Sequence, residues 1–191
     1  MSNRFSNKLE IIGTDEQVKE VREFLKGEPN EYSSENYIDF NNIKKIPEEL
    51  IINQSSTGKL VHFLLFGTKE YYGIVSESSQ LKFQGLTENE KREGFELALK
   101  SQSNFEKYGY YNQFDWSAGT WGVKWNAYWQ ELPSENIITF VTSWSPVPEL
   151  LLELSVTFSD ITFDYSCSCF ESEESYHFIF KNGEILQRED S

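Results

Sequence analysis

The chain has little of what marks a disulfide scaffold or a metal enzyme: its 191 residues include two cysteines, two histidines and one methionine. Cys167 and Cys169 stand at i and i+2, a spacing that points both side chains to one side of a strand but seldom meets disulfide geometry, so free thiols are expected. Long apolar runs are also missing. LVHFLLFG and LLLELSVTF fall far short of a bilayer span, and MSNRFSNKLEIIG has no apolar stretch of signal-peptide length. The expectation is a cytoplasmic protein with no membrane partner. Basic residues are scarce, 17 against 31 acidic, for a net charge of -14. Such a surface repels phosphate, and binding by counterion release needs clustered Lys and Arg, so direct contact with nucleic acid is not expected. An acidic face suits a basic partner protein, or a DNA mimic acting against a host defence protein.

Aromatic residues, in contrast, are plentiful at 16%, beside 38% hydrophobic and 25% charged residues, the composition of a globular chain. A chain of this length holds a sizeable core in one large domain. Periodicity then orders the elements. NKLEII is a strand, and TDEQVKEVREFLKG a helix with Thr14 as cap, Gln17 at the capping-box position, an apolar stripe of Val18, Val21, Phe24 and Leu25, and Gly27 as stop. From Glu28 to about Gln54 the pattern is loose, with a short edge strand over Tyr37–Phe40 and a helical turn opened by Pro47. KLVHFLLFGTKEYYGI predicts a helix with a break near Gly67 and Tyr71 beyond it. Thr87 and Glu90 open a longer helix that carries Phe95, Leu97, Leu99 and Phe105.

At Thr120 the period changes to two. Trp121, Val123, Trp125, Ala127 and Trp129 alternate with polar or small residues through TWGVKWNAYW, the pattern of a strand with one buried face, so Trp121 and Trp125 are expected in the core. The turn ELPSEN leads to the strand IITFVTSW. Pro146 and Pro148 open a helix with a stripe of Leu150, Leu151, Leu154 and Phe158. ITFDYSCSCF and YHFIF are strands, and Asn182-Gly183 turns into EILQR. The order is β, α, long insertion, β, β, α, β and a closing hairpin. This predicts an α+β, ferredoxin-like βαββαβ antiparallel sheet with its helices on one face, as a single domain over 1–191. Residues 28–115 form a mostly helical insertion after the first helix, since a structureless loop of that length is far outside the usual range.

Four stretches in this order, NKLEIIGTDEQVKEV, IDFNNIKKIPEEL, WGVKWNAY and FVTSWSPVPELLLELSVTF, resemble the YubB family of ferredoxin-like domains. The family usually has WGTKW where this chain has Val123, and an aromatic-Thr-Ala-Trp-Ser-Pro-Pro run where it has Ser143 and Val147. The resemblance implies the fold and a setting on plasmids, phages and other mobile elements. It implies no reaction.

Lys124, with Tyr128 or Trp144 on the same open face, can make a cation–π contact or hold a carboxylate, so these three are the candidate binding residues. Cys167, Cys169 and His177 offer three possible ligands, but the CxC spacing is not that of a zinc site, and no metal or cofactor is expected. His62 sits in an apolar run as a core histidine. Glu48-Glu49 and the acidic residues from Glu171 to Glu174 read as solvated loop charge. The expectation is a non-enzymatic protein that binds another protein through an acidic surface. The alternatives are a small-ligand binder or enzyme with its pocket between the insertion and the sheet, and the DNA mimic.

Overall fold

Odd-numbered residues of β1 (Arg4–Ile12) are buried and even-numbered ones are not: Phe5, Asn7, Leu9 and Ile11 face inward, while Ser6 and Lys8 face outward. This alternation is carried across a six-stranded, wholly antiparallel sheet in a computed structural model that describes residues 3–29, 35–53, 55–67 and 82–190. The remaining strands are β2 (Tyr128–Ser134), β3 (Ile137–Ser143), β4 (Thr162–Cys169), β5 (Ser175–Lys181) and β6 (Glu184–Asp190), in the order β2-β3-β1-β4-β5-β6. Among the described residues the helices include α1 (Asp15–Leu25), α2 (Phe40–Ile43), α3 (Ser56–Phe66), α4 (Glu88–Tyr108), α5 (Gln113–Thr120) and α6 (Pro148–Thr157), with a 3₁₀ turn at Glu48–Leu50. The fold is α+β with an open antiparallel sheet.

The chain divides into two compact units. The first, residues 1–45 with 117–191, contains the whole sheet. Register places Leu9 between Ile138 and Tyr165, and Phe163 beside Phe180, so the inner face is continuous from β3 to β5. Helix α1 has the expected reciprocal capping box between Thr14 and Gln17 and buries Val18, Val21 and Leu25. Helix α6 starts with Pro148 in its first turn and buries Leu150, Leu151 and Leu154. Phe24 of α1 meets Phe158 at the end of α6 edge to face at 5.2 Å, which joins the two helices on the same side. Each such aliphatic side chain taken out of water contributes about 1.5–3 kcal/mol. Asn182 (φ 50) and Gly183 (φ 74) form the tight turn into β6, both in the left-handed conformation that a two-residue hairpin needs.

The described residues of the second unit, 46–116, are mostly helical. Its α3 ends at Gly67 in the left-handed conformation, and α4 opens on a capping box between Thr87 and Glu90. Tyr71, expected beyond the break, lies outside the described residues. Helix α4 is the longer helix expected from Thr87; on it Phe95, Leu99 and Phe105 are exposed, and Gly94, Ala98 and Asn104 are buried. Close approach is the reason. A Cβ at Gly94 would come within 2.9 Å of both Thr57 and Val61 side chains, so only a small face of α4 fits against α3. His62 is buried in this unit, with Nε2 3.2 Å from Gln102 Oε1 and its ring 5.0 Å from that of Tyr111. Burial holds its pKa below the usual histidine value.

Two strand expectations also change. Tyr37–Phe40 forms no strand; Asp39 instead caps the single helical turn α2 by accepting from Asn41 N. The stretch around it packs with the sheet unit, so 35–45 is not part of the second unit. The strand expected from Thr120 begins only at Tyr128. Trp121 N donates to Ser117 O, Gly122 turns left-handed at φ 80, and Asn126 Oδ1 accepts from Phe40 N, so local bonds and a glycine break the alternation.

Candidate functional site

The three tryptophans of TWGVKWNAYW do not share a face. Trp121 is 2% exposed, donates its indole N–H to Lys44 O at 2.9 Å and packs edge to face on Phe40. Trp125 is 46% exposed and Trp129 66% exposed, so the expected burial holds for Trp121 and fails for Trp125. Lys124 stands in the loop before β2 with its ammonium 5.1 Å from the Trp125 ring centre, which draws it to its own neighbour.

Tyr128 and Trp144, in contrast, come to the same end of the sheet. Four chain segments meet there. Arg4 of β1 pairs with Ser143 of β3, Trp144 N donates to Asn3 O at 2.7 Å, and Phe170 N, just past β4, donates to Arg4 O at 2.8 Å. Tyr128 of β2 pairs with Val141, and its hydroxyl lies 3.1 Å from Ser143 Oγ. The Arg4 guanidinium sits 5.8 Å from the Trp129 ring centre and 5.4 Å from that of Phe170, a cation between two rings. Arg4 Nε also donates to Glu171 Oε1 at 3.1 Å, and its backbone N–H to Oε2 at 2.7 Å. That backbone bond, with the guanidinium, holds the Glu171 carboxyl below its usual pKa. Phe170 is 56% exposed and Trp144 61% exposed.

Two of these aromatics are held in an unusual backbone state. Trp129 has φ 49 and Trp144 has φ 82. For a bulky non-glycine residue the left-handed region costs about 1–3 kcal/mol, and surrounding structure must impose it. The register of β2 and β3 shifts between Tyr128 and Glu131, around Trp129, and Trp144 N donates to Asn3 O. Both indoles are exposed, where burial would be the favourable state.

Behind this end lies a buried polar network. Asn7 Nδ2 donates to Phe5 O at 2.9 Å and Thr142 Oγ1 at 3.0 Å, and Thr142 donates to Ser145 O at 2.8 Å. Tyr165, fully buried, links Asn7 to Val147, and desolvation raises its pKa well above the ordinary value. Cys167 and Cys169 are buried on this inner face, and burial pushes the Cys167 thiol up to about 11. His177 stands on the opposite face, opposite Ser166 in register, with Nε2 3.0 Å from Asp164 Oδ1. The two thiols and the imidazole therefore do not converge. Arg4, Trp129, Phe170 and Glu171 were not among the expected site residues. Their signal was legible only in part: Arg4 and Phe170 continue the outward alternation of β1 and β4.

No family model matches the chain, and no curated protein matches it. Among solved structures it is similar to the crystal structure of the protein api92 from Yersinia pseudotuberculosis, described with the family DUF1281, at a TM-score of 0.48 and 9% identity over 100% of this chain and 98% of that chain.

Proposed function

We propose that this is a non-catalytic binding protein of ferredoxin-like build and YubB-like kinship, active in the cytoplasm in a mobile-element setting, whose ligand is a basic partner protein. The observation that carries the reading is the exposed aromatic end of the sheet, where Trp129 and Trp144 are held outward in left-handed backbone. Backbone strain of this kind gathers at functional sites, and exposed indoles beside an arginine are the residues that most often dominate protein interfaces. The ferredoxin-like layout is supported by the order β2-β3-β1-β4 with α1 after β1 and α6 after β3. The mobile-element setting rests on the four YubB-like stretches.

Charge and aromatics have separate tasks in this reading. A net charge of -14 steers a basic partner over distance, and the rings around Arg4 supply contact once it arrives. The test is affinity capture from host lysate with the parent protein and with a Trp129→Ser/Trp144→Ser variant, at about 50 and 500 mM salt. The expected result is a captured basic protein that the variant loses at both salt levels, with slower association at high salt. Capture unaffected by the variant and abolished by salt moves the contact to the acidic surface alone. Capture of a nucleic-acid-binding defence protein, competed by DNA, favours the mimic.

A further inference from the structure

The outward face of β1, β4, β5 and β6 has a floor of serines. Register sets Ser6 beside Ser168 and Ser168 beside Ser175 in one cross-strand row, and Lys8, Ser166, His177 and Glu189 in the next. Exposed strands ordinarily carry β-branched or long charged side chains here. The short serines instead leave a trough of about 370 Å³ between the taller Lys8, His177 and Glu189. None of the four serine side chains makes a hydrogen bond among the described residues, so each hydroxyl can both donate and accept. The walls are held in place: Lys8 Nζ lies 2.9 Å from Glu10, and His177 Nε2 3.0 Å from Asp164 with Nδ1 3.8 Å from Glu189.

Chemistry narrows what fits. An apolar ligand would strip water from hydroxyls and give nothing back. An anion would meet Glu189, Asp164 and Glu10, and the charge of the nearest ammonium, Lys8, is balanced by Glu10 at 2.9 Å. A neutral ligand rich in hydroxyls can pair with the serines and brings no charge of its own to desolvate. Phe170 lies two positions beyond Ser168 on the same face, about 7 Å along the strand. Its exposed ring lies beyond the residues that line the trough, 5.4 Å from the Arg4 guanidinium. The volume is at the small end of ligand sites, which run to about 300–1,000 Å³, and suits one or two pyranose rings.

We infer that this trough is a carbohydrate site for a neutral hexopyranose unit, with Ser166, Ser168 and Ser175 binding its hydroxyls and His177, held by Asp164, forming one wall. The inference does not depend on a protein partner. The test is an amide-resolved NMR titration of the full chain with maltose, cellobiose, lactose and diacetylchitobiose at millimolar concentration, with inorganic phosphate and spermidine as charged comparators. At least one disaccharide is expected to shift the amides of Ser166, Ser168, Ser175 and His177 saturably. A Ser166→Val/Ser168→Val variant, which strands tolerate, is expected to weaken that binding by about tenfold. The proposal is overturned if no disaccharide moves these amides, if the variant binds as well as the parent, or if only phosphate or spermidine moves them. The serine variant retains Trp129 and Trp144, so capture of a partner protein tests the other reading separately.

Discussion

The Tyr165 hydroxyl donates to Asn7 Oδ1 at 2.6 Å inside the sheet core and accepts from Val147 N at 3.1 Å. One buried hydroxyl thus ties β4 to β1 and to the residue that starts α6. Tyr165→Phe leaves a buried carbonyl oxygen and a backbone N–H without it. The variant is expected to be less stable by about 1–3 kcal/mol, read as a lower urea midpoint with an unchanged slope.

The tryptophans should separate in a stability scan. Trp121→Ala removes a buried indole with its bond to Lys44 and is expected to cost about 3–5 kcal/mol. Trp129→Gly and Trp144→Gly remove exposed rings and relieve left-handed backbone, so each is expected to leave stability within about 1 kcal/mol of the parent, or raise it. Both should lose partner binding. Chemical denaturation of the three variants, beside capture, checks the contrast.

Gly94 has no room for a larger side chain. Its Cβ position is 2.9 Å from both Thr57 Cγ2 and Val61 Cγ2, so Gly94→Val must push α3 and α4 apart. The expected loss is about 1–3 kcal/mol, confined to the helical unit. Hydrogen exchange is the measurement: amides of α3 and α4 lose protection, and those of β1 and β4 keep theirs.

His62 gives the helical unit a pH dependence. Its folded pKa is below the unfolded value because burial disfavours the imidazolium. The unfolded chain then binds the proton that the folded chain resists. Stability from this group is complete above the ordinary histidine range and declines as pH falls through it, between about pH 7 and pH 5. His62→Leu should flatten the pH profile of thermal melting over that window relative to the parent. A profile identical in both would mean that His62 titrates alike in the two states.

Much of the framework follows from local sequence alone. The capping boxes at Thr14 and Thr87, the left-handed stop at Gly67, Pro148 in the first turn of α6 and the Asn182-Gly183 turn each depend on a few neighbouring residues, and short-range bonds realise them wherever the chain goes. The alternation in β1, β3, β4 and β5 likewise marks one apolar face before any partner strand is known. Local pattern misleads where tertiary bonds outweigh it. The alternating tryptophans read as one strand face, yet Asn126, bonded to Asp39 and Phe40, and Gly122 at φ 80 bend the chain so that Trp121 enters the core and Trp129 leaves it. The larger apolar residues Phe95, Leu99 and Phe105 of α4 stay exposed, because the approach of α3 at Gly94 selects the smaller face. The candidate sites belong to this second class. Arg4, Trp129, Trp144 and Phe170 come from four separate segments, and Ser6, Ser168 and Ser175 from three strands, so only strand order and register bring them together.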